Sequence, residues 1–576
     1  MRKTGFQAVF GLYDTTARSD NTFSTLDNQP FGNISMAGED AEYPDYATLE
    51  DDFFILDGSK SEMPDSPGDV VYFSTEISDK YGTFFSPPEF IINFTEYHTS
   101  YGLTFYFVSD PPLEMEVTWC DLEGVRIARK TFSVSASGNK YFAQNQVENY
   151  GKLIIKFTRS LPYRYVKFRY IEYGTDLIIG HEGLPIKEAS LVEETDPISD
   201  KIAINKLSYK LIDEDNDFNI GNLAGIHRTL QNGQECVAYE YVDGEKILLG
   251  RFFLSGYDTD KYITKLDLVD FKGILDNNRF LDGRVYSGES AGNVIDAIMQ
   301  ASGIEDYTVS DEIRAIPLYG WLKIQTCRKA LREVLFACGA VADSCRSAAL
   351  NMYIPATDIK MDVKRERKFS TTPSKHDYVS DITIKHAQYI MQENESQIAK
   401  GEYPAGTHTI ELSSPASEMK INSGLILKQS NNYVTFKIDF PTNVTITGHK
   451  YNKEETSVTV SEKNVEAGNT RNTKSYQCSV LSGQQARQIA EKILEYYQLR
   501  LGLKIKYMNG GERPSQWAEV ENSIRSFGNY VAVFEKLTTD LTGGFLTTAE
   551  LRGYYKIITE DYYTGEIFAG DNFGEM

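Results

Sequence analysis

Only three stretches of this 576-residue chain carry the 3.6-residue apolar period of a helix, and the rest alternates or turns. That scarcity of helical sequence restricts the chain to a mainly β architecture. The central stretch runs from Cys327 to Cys338, where Cys327, Ala330, Leu331, Val334, Leu335 and Cys338 mark one buried face. Thr326 is placed to cap its start and Gly339 to stop it. Ala340 to Ala342 then reads as a strand. Asp343, Ser344, Arg346 and Ser347 read as a turn, and Leu350, Met352 and Ile354 as a second strand ending at Pro355. A second helix is predicted from Ala291 to Ala301 with Val294, Ile295, Ile298 and Met299 buried and Gly303 as its stop. A third spans Ala486 to Tyr497, burying Ala486, Ile489, Ala490, Ile493, Leu494 and Tyr497.

Around these helices the pattern has period two. An acidic lead-in, Gly38 to Asp52, gives way to Phe53-Phe54-Ile55-Leu56. Leu103, Phe105 and Phe107, then Met115, Val117 and Trp119, mark strands on either side of Asp110-Pro111-Pro112. Strands continue at Leu153 to Phe157 and Tyr165 to Ile171, which predicts an all-β sandwich up to about residue 185. The strongest hairpin signal is Glu235 to Val242 and Glu245 to Leu254 around Asp243-Gly244. With Leu207, Tyr209, Leu211, Ile263, Leu266 and Leu268 it predicts a small antiparallel barrel or curved sheet. Lys360 to Lys368 reads as a basic linker. Residues 375–475 return to polar strands, with Val434, Phe436 and Ile438 facing opposite Tyr433, Thr435, Lys437 and Asp439. Val531 to Ile558 reads as strands around Thr542-Gly543-Gly544. Thirty-seven Tyr and 31 Phe fit this β bias.

At this length one core is too few, and three to five domains are expected. A formal charge of −23 argues against a protein that coats nucleic acid, though not against a conduit for it. The six cysteines form no C-x-x-C pair and read as buried hydrophobes of a reducing compartment. The seven histidines are dispersed. No apolar run approaches the ~20 residues of a membrane span. Gln7 and Gly11 interrupt any signal-peptide pattern, so a soluble protein made in the cytoplasm is expected.

Three motifs invite a chemical reading. Gly288-Glu289-Ser290-Ala291-Gly292 matches the G-x-S-x-G nucleophile elbow, which would make Ser290 an esterase nucleophile. The preceding segment is short and polar, and Ser290 stands where a helix N-cap belongs. Asp213, Asp215 and Asp217 have calcium-loop spacing, but Phe218 replaces the turn glycine and Ala224 the bidentate Glu. Lys364, Arg365, Arg367 and Lys368 could touch phosphates but read as a charged linker. The sequence therefore predicts no catalytic residue, no cofactor and no metal ligand.

The order of these segments resembles the hub or tail-associated proteins at the tip of tailed phages, prophages and related contractile injection machines. Ala41 to Ser59, with Tyr46-Ala47-Thr48-Leu49-Glu50 and Leu56-Asp57-Gly58-Ser59, followed by Ser74, Ser78-Asp79 and Phe84 to Pro88, looks like the galactose-binding-like sandwich attached to such proteins. Ser290 to Gly303 with Thr326 to Ile354, and Ala486 to Tyr497 with the strands after it, look like the hub's helical modules and second tube-forming domain.

The resemblance implies a sandwich over 1–190, a tube-forming barrel over 200–280, a helix-hairpin module over 285–370, a β-rich peripheral domain over 371–480, and a helix with a second barrel over 481–576. Three chains would make a ring of six barrels that adapts a six-fold tail tube to a three-fold spike or fibre and opens or closes the conduit. The implied partners are two further copies of the chain, tail tube, distal tail or baseplate, tape measure, and spike or fibre proteins, with DNA as transient cargo. The implied place is the tail tip, assembled in the host bacterial cytoplasm. A sandwich that binds a surface glycan on a tail scaffold, and an esterase using Ser290, are the alternatives.

Overall fold

The computed structural model describes residues 3–37, 46–50, 53, 57–62, 71–136, 138–219, 221–222, 230–463, 469–522, 528–556, 563–564 and 567–568. Most of the lead-in Gly38 to Asp52, the run Phe54 to Leu56, Ala224 and the end of the chain from 557, the two short strands apart, lie outside these residues. The protein is mainly β and multidomain, with small α-helical inserts. It divides into two units, Val9–Ile178 with Asp213–Gln231, and Met1–Ala8, Ile179–Ile212 and Asn232–Met576.

In the first unit seven strands hydrogen-bond in one order, 72–73, 167–172, 89–107, 140–159, 114–120 and 126–133, with 22–24 on the edge of 89–107. The two longest strands are irregular between Asn93 and Gly102, where bulges break the register and increase the bend. Leu103, Phe105, Phe107, Met115, Val117 and Trp119 are all buried, as their alternation predicts, in a core rich in aromatic rings. The acidic stretch after Asp213 belongs to this unit and not to the barrel region 200–280 that the sequence suggests. Its loop closes on itself. The Asp213 carboxylate accepts from the backbone N–H groups of Asp217 (2.8 Å) and Phe218 (3.0 Å), and Phe218 is buried.

In the second unit three helices run longer than ten residues among those described: α1 (Ala291–Ser302), α2 (Cys327–Cys338) and α3 (Gly483–Gln498). α1 and α2 have the predicted caps, and α3 begins three residues before the predicted start at Ala486. Ser290 and Thr326 accept from the N–H three residues on, and Gly303 and Gly339 end their helices at φ +75° and +60°, a conformation that favours glycine. Ser482 and Gln485 form a reciprocal capping box on α3. The apolar faces of the three helices meet in one core with Leu318, Leu350 and Ile382.

Thirteen strands of the large sheet are numbered in chain order. They are β1 (Thr4–Tyr13), β2 (Gly174–Gly180), β3 (Ile186–Glu194), β4 (Lys206–Ile212), β5 (Glu235–Val242), β6 (Glu245–Asp260), β7 (Ile263–Val269), β8 (Ile359–Val363), β9 (Lys368–Lys375), β10 (Leu501–Met508), β11 (Trp517–Val520), β12 (Asn529–Asp540) and β13 (Leu546–Lys556). The sheet order is β9-β10-β13-β12-β3-β4-β7-β6-β5-β1-β2, with β8 and β11 attached through β12. The predicted hairpin is β5–β6, with Asp243 and Gly244 both at positive φ (+52° and +94°), as a two-residue turn of this kind requires.

Two boundaries differ from those the sequence suggests. The basic run Lys364 to Lys368 is not a linker and does not close a helix-hairpin module at 370. It joins β8, parallel to β11, to β9, antiparallel to β10. The second lobe of the sheet is therefore assembled from 359–375 and 501–556. Between them come a four-stranded sheet built on Asp381–Tyr403 and Thr442–Ser461, a three-stranded sheet, and α3. Strand β9 escapes a sequence reading because it is an edge strand. It carries Lys368, Pro373 and Lys375 and is largely exposed, which blunts the edge and erases the alternation.

Leu331 is fully buried in the three-helix core. Leu331→Ala is expected to destabilise the second unit by about 3 kcal/mol, read as a lower denaturant midpoint with an unchanged slope.

Candidate functional site

The motifs singled out in the sequence fall on different elements. Ser290 ends a strand (Val285–Ser290) that pairs antiparallel with Pro317–Trp321, and its hydroxyl accepts from the Asn293 N–H at 3.3 Å. A nucleophile elbow needs a parallel strand there. Of Asp213, Asp215 and Asp217, the first is turned onto its own loop, accepting from the Asp217 and Phe218 N–H groups. The basic run lies along the second lobe, with Lys364 and Arg365 exposed and Arg367 and Lys368 half-buried. Lys364 lies 3.4 Å from Glu521, Arg367 2.5 Å from buried Glu512, and the Lys368 ammonium donates to the Glu521 carbonyl. All six cysteines are buried and unbridged. Among the described residues no group of three or more His, Cys, Asp or Glu could hold a metal ion, and no helix is long and apolar enough to cross a membrane.

What the fold does bring together is a buried polar cluster at the junction of the two lobes. Its backbone is β3, the strand hydrogen-bonded on both edges. One edge pairs with β4, and residues Ser190 to Glu194 on the other pair with Asp540 to Lys536 of β12. Ala189, Leu191 and Glu193 point to the same buried face. Glu193 is 1% exposed and neither carboxylate oxygen has a hydrogen-bond partner. Burial pushes its carboxyl above the ordinary range, with the Arg346 charge working the other way.

The turn after α2 is wedged against this strand. Asp343, Ser344 and Cys345 are all under 10% exposed, and Arg346 adopts φ +51°. The Arg346 backbone N–H donates to Leu249 of β6 at 3.0 Å, and its guanidinium pairs with Glu240 of β5, both side chains 6% exposed. The Ser344 hydroxyl donates to Asp270 (2.6 Å), and the Asn205 amide to the Cys345 sulfur (3.2 Å). Lys272, fully buried, lies 3.3 Å from Asp270 and donates to Asn205 Oδ1 (3.2 Å). From the second lobe Arg513 reaches the Cys345 carbonyl at 3.5 Å.

Four carboxylates, Glu193, Glu240, Asp270 and Asp343, thus face two buried cations, Arg346 and Lys272. Burial raises the Asp270 carboxyl, like that of Glu193, with Lys272 and Ser344 working the other way. Burial opposes the Lys272 charge, yet Asp270 holds its ammonium above the ordinary value. The Cys345 thiol is pushed far up, first by burial and then by Asp343 and Glu193, so it is not poised as a nucleophile. The cluster can hold charge and fix geometry. It ties strands β3, β5 and β6 and the second lobe to one turn.

A second buried group lies in the first unit. The His98 ring nitrogens are 3.2 Å from Asp14 and 3.0 Å from Asp20, which fastens the short helix Thr15–Asp20 to the strand Glu89–Phe107. Hydrogen bonds from Thr95 and His98 hold the Asp20 carboxyl well below its ordinary range.

Sequence reading misses both groups, because the 343–347 turn is polar and turns are expected at the surface. The available signal is Cys345, a residue type that is seldom exposed, in the middle of that turn. Glu193 carries a similar signal, since it continues the inward alternation of Ala189 and Leu191.

The fold is that of a mainly β, multidomain chain organised on one long sheet. No protein-family profile and no curated protein matches it. Among solved structures it is similar to a tail protein from Neisseria meningitidis MC58, with 11% identity and TM-score 0.38 over 64% of this chain and 92% of that one. It is also similar to the 43 kDa tail protein of prophage MuSo2 from Shewanella oneidensis, with 8% identity and TM-score 0.37 over 64% and 94%. A third is an Escherichia coli type VI secretion system component described as structurally similar to the T4 bacteriophage tail proteins gp27 and gp5. It shows 8% identity and TM-score 0.32 over 65% and 75%.

Removing one partner of a buried pair leaves the other charge uncompensated. Arg346→Met is expected to cost about 3–5 kcal/mol in urea unfolding, and the double variant with Glu240→Met to recover most of it. Glu193 is a group whose carboxyl is raised on folding. Its protonated form carries no penalty below the ordinary Glu range near 4.3, and the penalty grows as pH rises toward and through the raised value. Glu193→Gln is therefore expected to match the parent protein at pH 4 and to exceed it in urea midpoint at pH 8.

Proposed function

We propose that this chain is a structural hub at the tip of a phage tail or a phage-tail-like particle. The observation that carries the reading is the β3–β12 pairing. It sets two β lobes, drawn from separated parts of the sequence, side by side on one sheet. That is the arrangement a three-chain ring needs in order to present six similar lobes to a six-fold tube. In this reading the helical core and the inserted sheets 381–461 lie at the periphery. The tail tube protein binds one face of the ring, and the spike or fibre protein the other. Distal tail or baseplate proteins and the tape measure protein are further neighbours, and DNA is transient cargo. The acidic balance of the chain suits a lumen to which DNA does not adhere. The chain acts by assembly and carries no catalytic role of its own.

Light scattering on the purified protein is expected to give three times the chain mass, and negative-stain images rings with a central hole. A monomer at all concentrations, with no rings when mixed with tail tubes, would sink the reading. For the enzymatic alternative, ester hydrolysis by the purified protein is expected to stay at background, and Ser290→Ala not to change it.

A further inference from the structure

One corner of the buried cluster holds an amine, an amide and a carboxyl, all shut away from water. Lys272, on the short helix Phe271–Ile274, is 0% exposed, and Asn205 and Asp270 are each 1% exposed. The Lys272 Nζ lies 3.2 Å from Asn205 Oδ1 and 3.3 Å from Asp270 Oδ2. The carbon of the Asn205 side-chain amide is one C=O bond further on, so at most ~4.4 Å from the amine. The backbone N–H of Glu194, at the end of β3, also donates to Asn205 Oδ1, at 3.0 Å, and polarises that carbonyl. The amide nitrogen donates to Cys345 Sγ (3.2 Å) and Ser344 Oγ (3.5 Å). Asp270 Oδ2 accepts from the Ser344 hydroxyl, while Oδ1 is buried with no hydrogen-bond partner. An ion pair by itself needs neither the polarised amide nor the spare carboxyl oxygen.

We propose that the folded chain joins Lys272 to Asn205 by an amide bond, Nζ to Cγ, with Asp270 carrying the protons. The Lys272 ammonium first passes a proton to Asp270 across their 3.3 Å gap. Burial opposes the charge on both groups, so the neutral amine and the neutral acid are within reach in this site. The Nζ lone pair then attacks Cγ, and the carbonyl electrons move onto Oδ1 beside the Glu194 N–H. Asp270 gives its proton to Nδ2 and takes one from Nζ. The Cγ–Nδ2 bond breaks with its electron pair, the Oδ1 electrons restore the carbonyl, and ammonia leaves. Asp270 ends as the neutral acid, and nothing is oxidised or reduced. The fold supplies the two conditions that this reaction lacks in free solution, proximity and the exclusion of water. The joined residues are 67 positions apart with β4, β5, β6 and β7 between them, so the bond closes this part of the sheet into a covalent loop. The proposal stands apart from the hub reading, since a bond within one chain forms whether or not chains assemble.

The test is mass spectrometry of the full-length protein, purified folded and then denatured. The parent is expected to weigh about 17 Da less than its sequence, the loss of one ammonia. Trypsin is expected to leave Lys272 uncut and to release one branched peptide that joins residues 202–206 to 266–279. Lys272→Arg and Asp270→Asn are each expected to show the full mass of their own sequence and only linear peptides. A parent protein of full sequence mass overturns the proposal, and that measurement needs no variant to fold. A loss of the same size that maps to a linear peptide also overturns it, because the ammonia then came from another residue. So does a branched peptide that persists in Lys272→Arg.

Discussion

A strand has two edges, and β3 uses both. One edge pairs with β4 some fifteen residues later, the other with β12 more than three hundred residues away. The two lobes of the large sheet are held in one register by that single strand. Everything between them in sequence, the three-helix core and the inserted sheets, must be placed so that residues 529–540 can reach 186–194. Loop-closure entropy grows only slowly with length, so the long separation costs little in stability. It costs more in folding rate, because the β3–β12 pairing gains nothing until the distant strand arrives.

The buried cluster beside β3 adds a second condition. Its turn, 343–346, leaves the strand Val341–Asp343 that follows α2, and its partners come from β5, β6, the segment around Asp270 and the second lobe. A buried ionic network of this kind contributes little net stability over an apolar core. What it adds is discrimination: any other placement of the α2 turn would leave Arg346, Lys272 or their acids unpaired in a dry site. Glu193, with no hydrogen bond to either oxygen, is the point where that arrangement is least satisfied.

The helices were legible in the sequence because their information is local. In α1 and α2 the cap, apolar stripe and glycine stop lie close together and match the predicted ones, and α3 buries its predicted stripe except for the half-buried Leu494. The β5–β6 hairpin was legible for the same reason, through Asp243-Gly244. Strands β8 and β9 were not. Strand β9 is an exposed edge that carries lysines and a proline in place of alternation, and β8 alternates over only five residues, Ile359 to Val363, beside the basic run.

The sequence by itself determined the mainly β class, the three helices and their apolar faces, the caps of α1 and α2, the hairpin, and the burial of the cysteines on the α2 face. Each of these follows from periodicity and turn chemistry within a short window. Tertiary structure alone decided that the second lobe is split by an insertion, that residues 213–231 fold with the N-terminal unit, and that a polar turn is buried against Glu193. Those outcomes depend on which strand edges meet and which charges are desolvated together. Such properties belong to pairs of residues hundreds of positions apart, and no local pattern encodes them.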